Sequence, residues 1–158
     1  MNVLFVCTGN ICRSPLAEAI ARDELNRRKR TDVTVASAGT GAWDGAPASE
    51  GAYLVGLEHG LDLSAHRARL LTRELVQGAD LILTMARHHR ARVHELGGDG
   101  RTFVLGEYAG VTGEEAEVSD PFGGDLEIYR TTYSQLDGLV RDALQRVLAE
   151  HREPDHRE

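Results

Sequence analysis

Val3-Leu4-Phe5-Val6, running straight into Cys7-Thr8-Gly9-Asn10-Ile11-Cys12-Arg13-Ser14-Pro15, is the stretch that decides the fold. An apolar, β-rich run ends at a cysteine, a small polar loop follows, and Ser14-Pro15 reads as a helix start, with Pro15 expected at the first helical position. A strand that passes to a helix through such a loop gathers backbone N–H groups and the positive end of the helix dipole at one point. Negative charge is favoured there, so thiolate is favoured over thiol and Cys7 becomes the candidate nucleophile. Gly9 permits backbone angles that other residues resist, and the amides of Thr8, Gly9, Asn10, Ile11, Cys12 and Arg13 can curl around one tetrahedral oxyanion. Arg13 can fork onto two of its oxygens, a contact that lysine does not reproduce. Such a loop suits phosphate better than a carbonyl. Ser14 reads either as a helix cap or as a hydroxyl that donates to the thiolate, and Asn10 either as a hydrogen-bonding brace or as a left-handed turn residue.

Outward from this loop, Asn2–Val6 is the first expected strand and Val33–Ser37, ending at Gly39, the second; Leu81–Thr84 and Thr102–Leu105 are the third and fourth. Between them lie segments of helical character: the helix opened by Ser14-Pro15 with Glu18 in its first turn, then Pro47–His59, Arg73–Gln77 and Arg87–Leu96. The longest helix is expected from about Asp125 to His151. Its Leu126, Tyr129, Tyr133, Leu136, Val140, Leu144 and Val147 recur at helical spacing, which predicts a face packed on the sheet. This alternation argues for an α/β sandwich of three layers with a central four-stranded parallel sheet and the loop at its carboxyl edge.

At 158 residues with 41% hydrophobic content, one domain over 1–151 is expected, followed by a polar tail over 152–158. Eighteen Lys plus Arg against 25 Asp plus Glu give a net charge of −7, which repels nucleic acid and anionic membrane surfaces. An anion site must therefore be built locally. Two cysteines five apart make a poor structural staple, and no signal peptide or long apolar span is evident, so a reducing cytoplasm is the expected compartment.

Cleavage of a phosphate ester by a thiolate needs a proton for the departing oxygen, and Asp120 is the candidate donor. It lies between a helix-poor stretch and the last helix, beside Pro121 and a Gly123-Gly124 pair that lets the loop move; read locally, it could equally be a turn aspartate. Trp43 and Phe122 could wall an aromatic slot, or Trp43 could be a packing residue. His88, His89 and His94 lack partners for a metal site and are expected on a solvated helix face, so neither metal nor cofactor is expected. Cys12 is near enough to Cys7 for a reversible disulfide once Cys7 is oxidised, or it simply fills space beneath the loop.

With its Cys-x-Gly-Asn-x-Cys-Arg-Ser-Pro core, Val3–Ile20 resembles the low-molecular-weight protein tyrosine phosphatase family, and Ser37-Ala38-Gly39, His66 with Arg69, Ala79–Met85 and Asp120-Pro121-Phe122 follow in the family's order. The resemblance implies a phosphotyrosine protein phosphatase I-like fold with strand order 2-1-3-4. It also implies Asp120 as general acid, a cysteinyl-phosphate intermediate, and Asn10, Ser14, Ser37 and His66 as supports behind the loop. A phosphorylated protein is the implied substrate. Trp43 matches a variable pocket aromatic, and Gly123 stands where some relatives carry a regulatory tyrosine. Ile11 resembles the tyrosine-directed branch, where a bacterial arginine-phosphatase branch has threonine; Asp120–Gly124 and Glu127–Thr132 resemble the arginine-directed branch instead. Isoleucine offers a guanidinium no hydrogen bond, which favours phosphotyrosine, with phosphoarginine as the alternative. An arsenate reductase-like relay would need a further cysteine near Thr84–His89, and none is there; a noncatalytic phosphate-binding domain would have no use for Cys7, Arg13 and Asp120 together.

Overall fold

The computed structural model describes residues 1–151, so the expected tail at 152–158 lies outside the described residues. Four strands, β1 (Asn2–Cys7), β2 (Thr34–Gly39), β3 (Leu81–Thr84) and β4 (Thr102–Val104), form one parallel sheet in the order β2-β1-β3-β4. The helices are α1 (Arg13–Arg27), α2 (Glu50–Glu58), α3 (Arg73–Gly78), α4 (Arg87–Glu95), the short α5 (Leu105–Tyr108) and α6 (Leu126–Glu150), with one 3-10 turn at Gly113–Ala116. Neither α5 nor the 3-10 turn was expected from the sequence. Both are a single turn long, below the length at which periodicity shows.

Side chains alternate across the sheet as the pleat requires. Val3, Phe5 and Cys7 of β1 face a core shared with Leu16 and Ile20 of α1 and Leu136, Val140 and Leu144 of α6. Leu4 and Val6 face the other way, against Val76 of α3 and Val93 of α4. With both faces covered, the central strands β1 and β3 read as apolar runs, and each fully buried Phe, Leu or Ile contributes about 1.5–3 kcal/mol. The apolar face of α6 shares the first of these cores with the inner faces of β1 and β3 and packs closely along α1, with α2 and α5 beside it.

This topology sets Cys7 at the point where strand order reverses. β1 pairs with β2 on one side, Cys7 opposite Gly39, and with β3 on the other, Val6 opposite Thr84. In such sheets the crevice beyond the carboxyl ends at this switch is the natural ligand site. Among the described residues no helix is long and apolar enough to cross a membrane.

Candidate active site

Helix α1 begins at Arg13, two residues earlier than Pro15, so Ser14 does not cap it and Glu18 falls beyond its first turn. Its hydroxyl is used elsewhere. Asn10 Nδ2 donates to Ser14 Oγ at 2.8 Å, which leaves the Ser14 O–H free to donate to Cys7 Sγ, 2.9 Å away. That hydroxyl is thereby aimed at the sulfur.

Asn10 is both the brace and the left-handed residue: its φ is 56°, and its amide also donates to Ser37 Oγ at 2.9 Å while Oδ1 accepts from the Arg69 amide at 2.9 Å. Ser37 passes its own proton to Glu18 Oε1 at 2.6 Å. His66 Nε2 donates to the Asn10 carbonyl at 2.6 Å, and the Thr40 and Gly41 amides take the carbonyls of Cys7 and Thr8, both at 2.9 Å. Gly39 is needed for that approach, because a Cβ there would overlap the Thr8 carbonyl and come within 2.9 Å of the Asn10 nitrogen.

These bonds use the loop's carbonyls and side chains and leave its amides uncommitted. Among the described residues, no backbone N–H from Thr8 to Cys12 donates to a protein acceptor. Arg13, only 4% exposed, donates from Nη1 to the Val118 carbonyl at 2.9 Å, while its buried Nε has no partner. A buried donor is almost always paired, so the unpartnered Arg13 Nε beside a thiol and a run of unclaimed amides marks the place of an anion. A cavity of about 190 Å³ opens there, lined by Cys7, Thr8, Gly9, Ile11, Cys12, Arg13, Asp120 and Phe122.

Asp120 reaches this cavity from the far end of the chain. Its Oδ2 lies 3.7 Å from Arg13 Nη2, and its side chain is 51% exposed. Phe122 stands beside it, 65% exposed, whereas Trp43 is 84% exposed and does not line the cavity. Beneath the loop, Cys12 Sγ lies 3.1 Å from Ser49 Oγ and 3.4 Å from Tyr129 Oη; burial pushes the Cys12 thiol upward, and burial first, then the bond to Cys12, pushes Tyr129 up to about 12. Both cysteines are free.

The expectation of three solvated histidines is corrected at one of them. His88 and His94 are exposed, but His89 is fully buried, with its Nε2 2.8 Å from Thr8 Oγ1 and its ring 4.0 Å from that of His88. Residue 89 occupies the third position of α4 behind Ala86, which cannot cap, and His89 Nδ1 takes the Ala86 amide at 3.1 Å instead. That pattern of a non-capping residue followed three later by a side-chain acceptor was the signal available. No group of His, Cys, Asp or Glu able to hold a metal ion occurs among the described residues.

A buried thiol ringed by uncommitted amides and an arginine, at the switch point of a parallel sheet, is the arrangement of an oxyanion-binding loop with sulfur at its floor, the class of site that phosphatases of the cysteine type present. The family model for low molecular weight phosphotyrosine protein phosphatase matches residues 2–153, and the chain belongs to that family. It is 38% identical over 154 residues to a protein-arginine-phosphatase of Bacillus subtilis, covering 96% of this chain and all of that one. It is 40% identical over 141 residues to the low molecular weight protein-tyrosine-phosphatase PtpB of Staphylococcus haemolyticus, covering 89% and 95%. Among solved structures it resembles YwlE arginine phosphatase, in a cysteine-to-serine mutant with a phosphorylated active site serine, at TM-score 0.87 and 37% identity over 96% of this chain and 98% of that one.

Proposed function

We propose that this enzyme hydrolyses phosphotyrosine in proteins through a cysteinyl-phosphate intermediate, with Cys7, Arg13 and Asp120 as its catalytic residues. The uncommitted amides and Arg13 Nε around Cys7 carry the phosphate reading. Cys7 Sγ attacks phosphorus, the bond to the leaving oxygen breaks, and Asp120 gives that oxygen its proton. The amides and Arg13 meet the charge that gathers on the equatorial oxygens, so no step calls for a metal or cofactor. Asp120, now a carboxylate, takes a proton from water as it attacks the phosphocysteine; phosphate leaves and the thiolate returns. The phosphorylated active site serine of the YwlE mutant supports phosphate transfer to this position.

Ile11 and Phe122 carry the choice of substrate, since both line the cavity and neither offers a hydrogen bond from its side chain. An aromatic ring loses nothing on meeting them, whereas a guanidinium gives up water there and gains no hydrogen bond from either side chain. Trp43, two residues beyond the Gly41 amide that holds the Thr8 carbonyl, is read as meeting the polypeptide around the phosphorylated residue. Similarity over 96% of the chain to an arginine phosphatase favours the second reading, phosphoarginine. Rates on phosphotyrosine and phosphoarginine peptides separate the two. The parent is expected to prefer phosphotyrosine, with Ile11→Thr shifting the ratio toward phosphoarginine by about 10-fold; a parent preference for phosphoarginine overturns the choice.

The reducing cytoplasm is the proposed compartment, and Cys12 the guard of the nucleophile there. Peroxide converts Cys7 to a sulfenic acid; Cys12 sulfur attacks it, an S–S bond forms, and hydroxide leaves with the Cys12 proton as water. Dithiol is expected to restore the peroxide-treated parent but not Cys12→Ser, and equal recovery of both removes this role.

A further inference from the structure

We propose that His89 is a positioning residue for phosphate transfer: it holds Thr8 Oγ1 as an acceptor, so that the Thr8 O–H donates to the phosphoryl group in the loop. The inference rests on the phosphatase reading of the cavity and adds to it a donor and the residue that aims it.

The direction of each proton follows from the partners. The Ala86 backbone can only donate, so His89 Nδ1, 3.1 Å away, is the ring's acceptor and carries no proton. The hydrogen of the neutral ring is then on Nε2, which donates to Thr8 Oγ1 at 2.8 Å. Burial, with the charges of Arg13 and His88 nearby, pushes His89 down to about 3, so the ring is neutral at any working pH. Arg13 Nη2 is a second donor to Thr8 Oγ1, at 3.4 Å. A hydroxyl has two lone pairs and one hydrogen, and here both lone pairs face donors. Among the described residues no protein acceptor takes the remaining hydrogen. Thr8 is exposed on the wall of the cavity that holds Cys7 and Arg13, so that hydrogen has the anion site before it. With the opposite ring tautomer, Thr8 would donate to the histidine and turn an unshared lone pair toward the phosphate. The Ala86 amide is what rules this out.

Two substitutions divide the ring's roles. The amide of asparagine falls near the place of Nδ1 and that of glutamine near Nε2, so His89→Asn keeps a partner for Ala86 and loses the donor to Thr8, while His89→Gln does the reverse. With an aryl phosphate as substrate and inorganic phosphate as competitive inhibitor, Thr8→Val is expected to lower kcat/KM and weaken phosphate inhibition by about 10- to 100-fold. His89→Asn is expected to lose about 10-fold on both measures and His89→Gln to recover most of it; on the Thr8→Val background His89→Asn should cost nothing more. Equal losses in Asn and Gln, a persisting Asn loss without the Thr8 hydroxyl, or phosphate inhibition unchanged in Thr8→Val each overturn the inference. A parent that turns over no phosphate ester defeats the phosphatase reading instead. Thermal melting of each variant identifies losses that come from unfolding, and Thr8→Val, at an exposed position, decides the matter if His89 variants do not fold.

Discussion

The loop from Cys7 to Arg13 and the loop from Asp120 to Gly124 serve one reaction in the proposed mechanism, and they are built in opposite ways. The first is mostly buried, with Thr8 at the surface, and is fastened by Asn10, Ser14, Ser37, His66 and Arg69, its donors held in place before any anion arrives. The second holds itself by an Asp120 carboxylate oxygen on the Phe122 amide, 3.1 Å, and a turn from Pro121 to Gly124, 2.8 Å, with Gly123 at φ 84° and Phe122 in solvent. Charge stabilisation requires fixed dipoles, because a donor that must reorient gives up part of its effect. Proton delivery to leaving groups of different shape tolerates a carrier that moves.

The comparison breaks most directly at the nucleophile. Cys7→Ser is expected to lower aryl phosphate turnover by at least about 10⁴-fold while leaving the fold intact, measured as rate beside a thermal melt. In the looser loop, Asp120→Asn is expected to cost about 10²- to 10³-fold on phenyl phosphate and much less on an ester with an acidic leaving group. Equal losses on both esters would deny Asp120 its proton. Glycines sharpen the contrast next. Gly39→Ala, pressed against the Thr8 carbonyl, is expected to weaken inhibition by inorganic phosphate at least about 10-fold through overpacking of about 1–3 kcal/mol. Gly123→Ala meets no neighbour within 4 Å and is expected to leave that inhibition within about twofold, at a backbone cost of about 1–2 kcal/mol.

The smallest effect concerns acid. The unfolded chain protonates His89 near 6.5, whereas the folded chain refuses that proton until about 3. The unfolded state therefore holds more protons in this window, and folding stability falls as pH drops from 6.5 toward 3. The parent is expected to lose about 1 kcal/mol per pH unit more than His89→Gln, read from denaturant melts between pH 6.5 and 5.

The two loops also differ in how far the sequence discloses them. Cys7, Gly9 and Arg13 sit between a run of buried-strand residues and a helix start, so local pattern and chemistry agree and the site is legible. Strand boundaries fall within one or two residues of their expected places for the same reason. Asp120 is locally a turn aspartate; in the sequence it is the family resemblance that singles it out, and in the fold it lies 3.7 Å from Arg13. His89 was missed because Arg87–Glu95 is almost wholly polar and reads as a solvated helix; the burial arises where the start of α4 meets the end of β1, a contact 81 residues apart in sequence. The α6 stripe was correctly placed, but periodicity shows that a face is covered and not by what.

The bond from Arg13 to the Val118 carbonyl has a consequence for synthesis on the ribosome. The strands that frame Cys7 are complete once Thr84 has been made, yet the arginine's brace arrives 34 residues later, together with Asp120. Because chains emerge from their amino end, a nascent polypeptide carries the thiol well before it can arm it. In the proposed mechanism the site is therefore completed only late in translation, when about three quarters of the chain has been made.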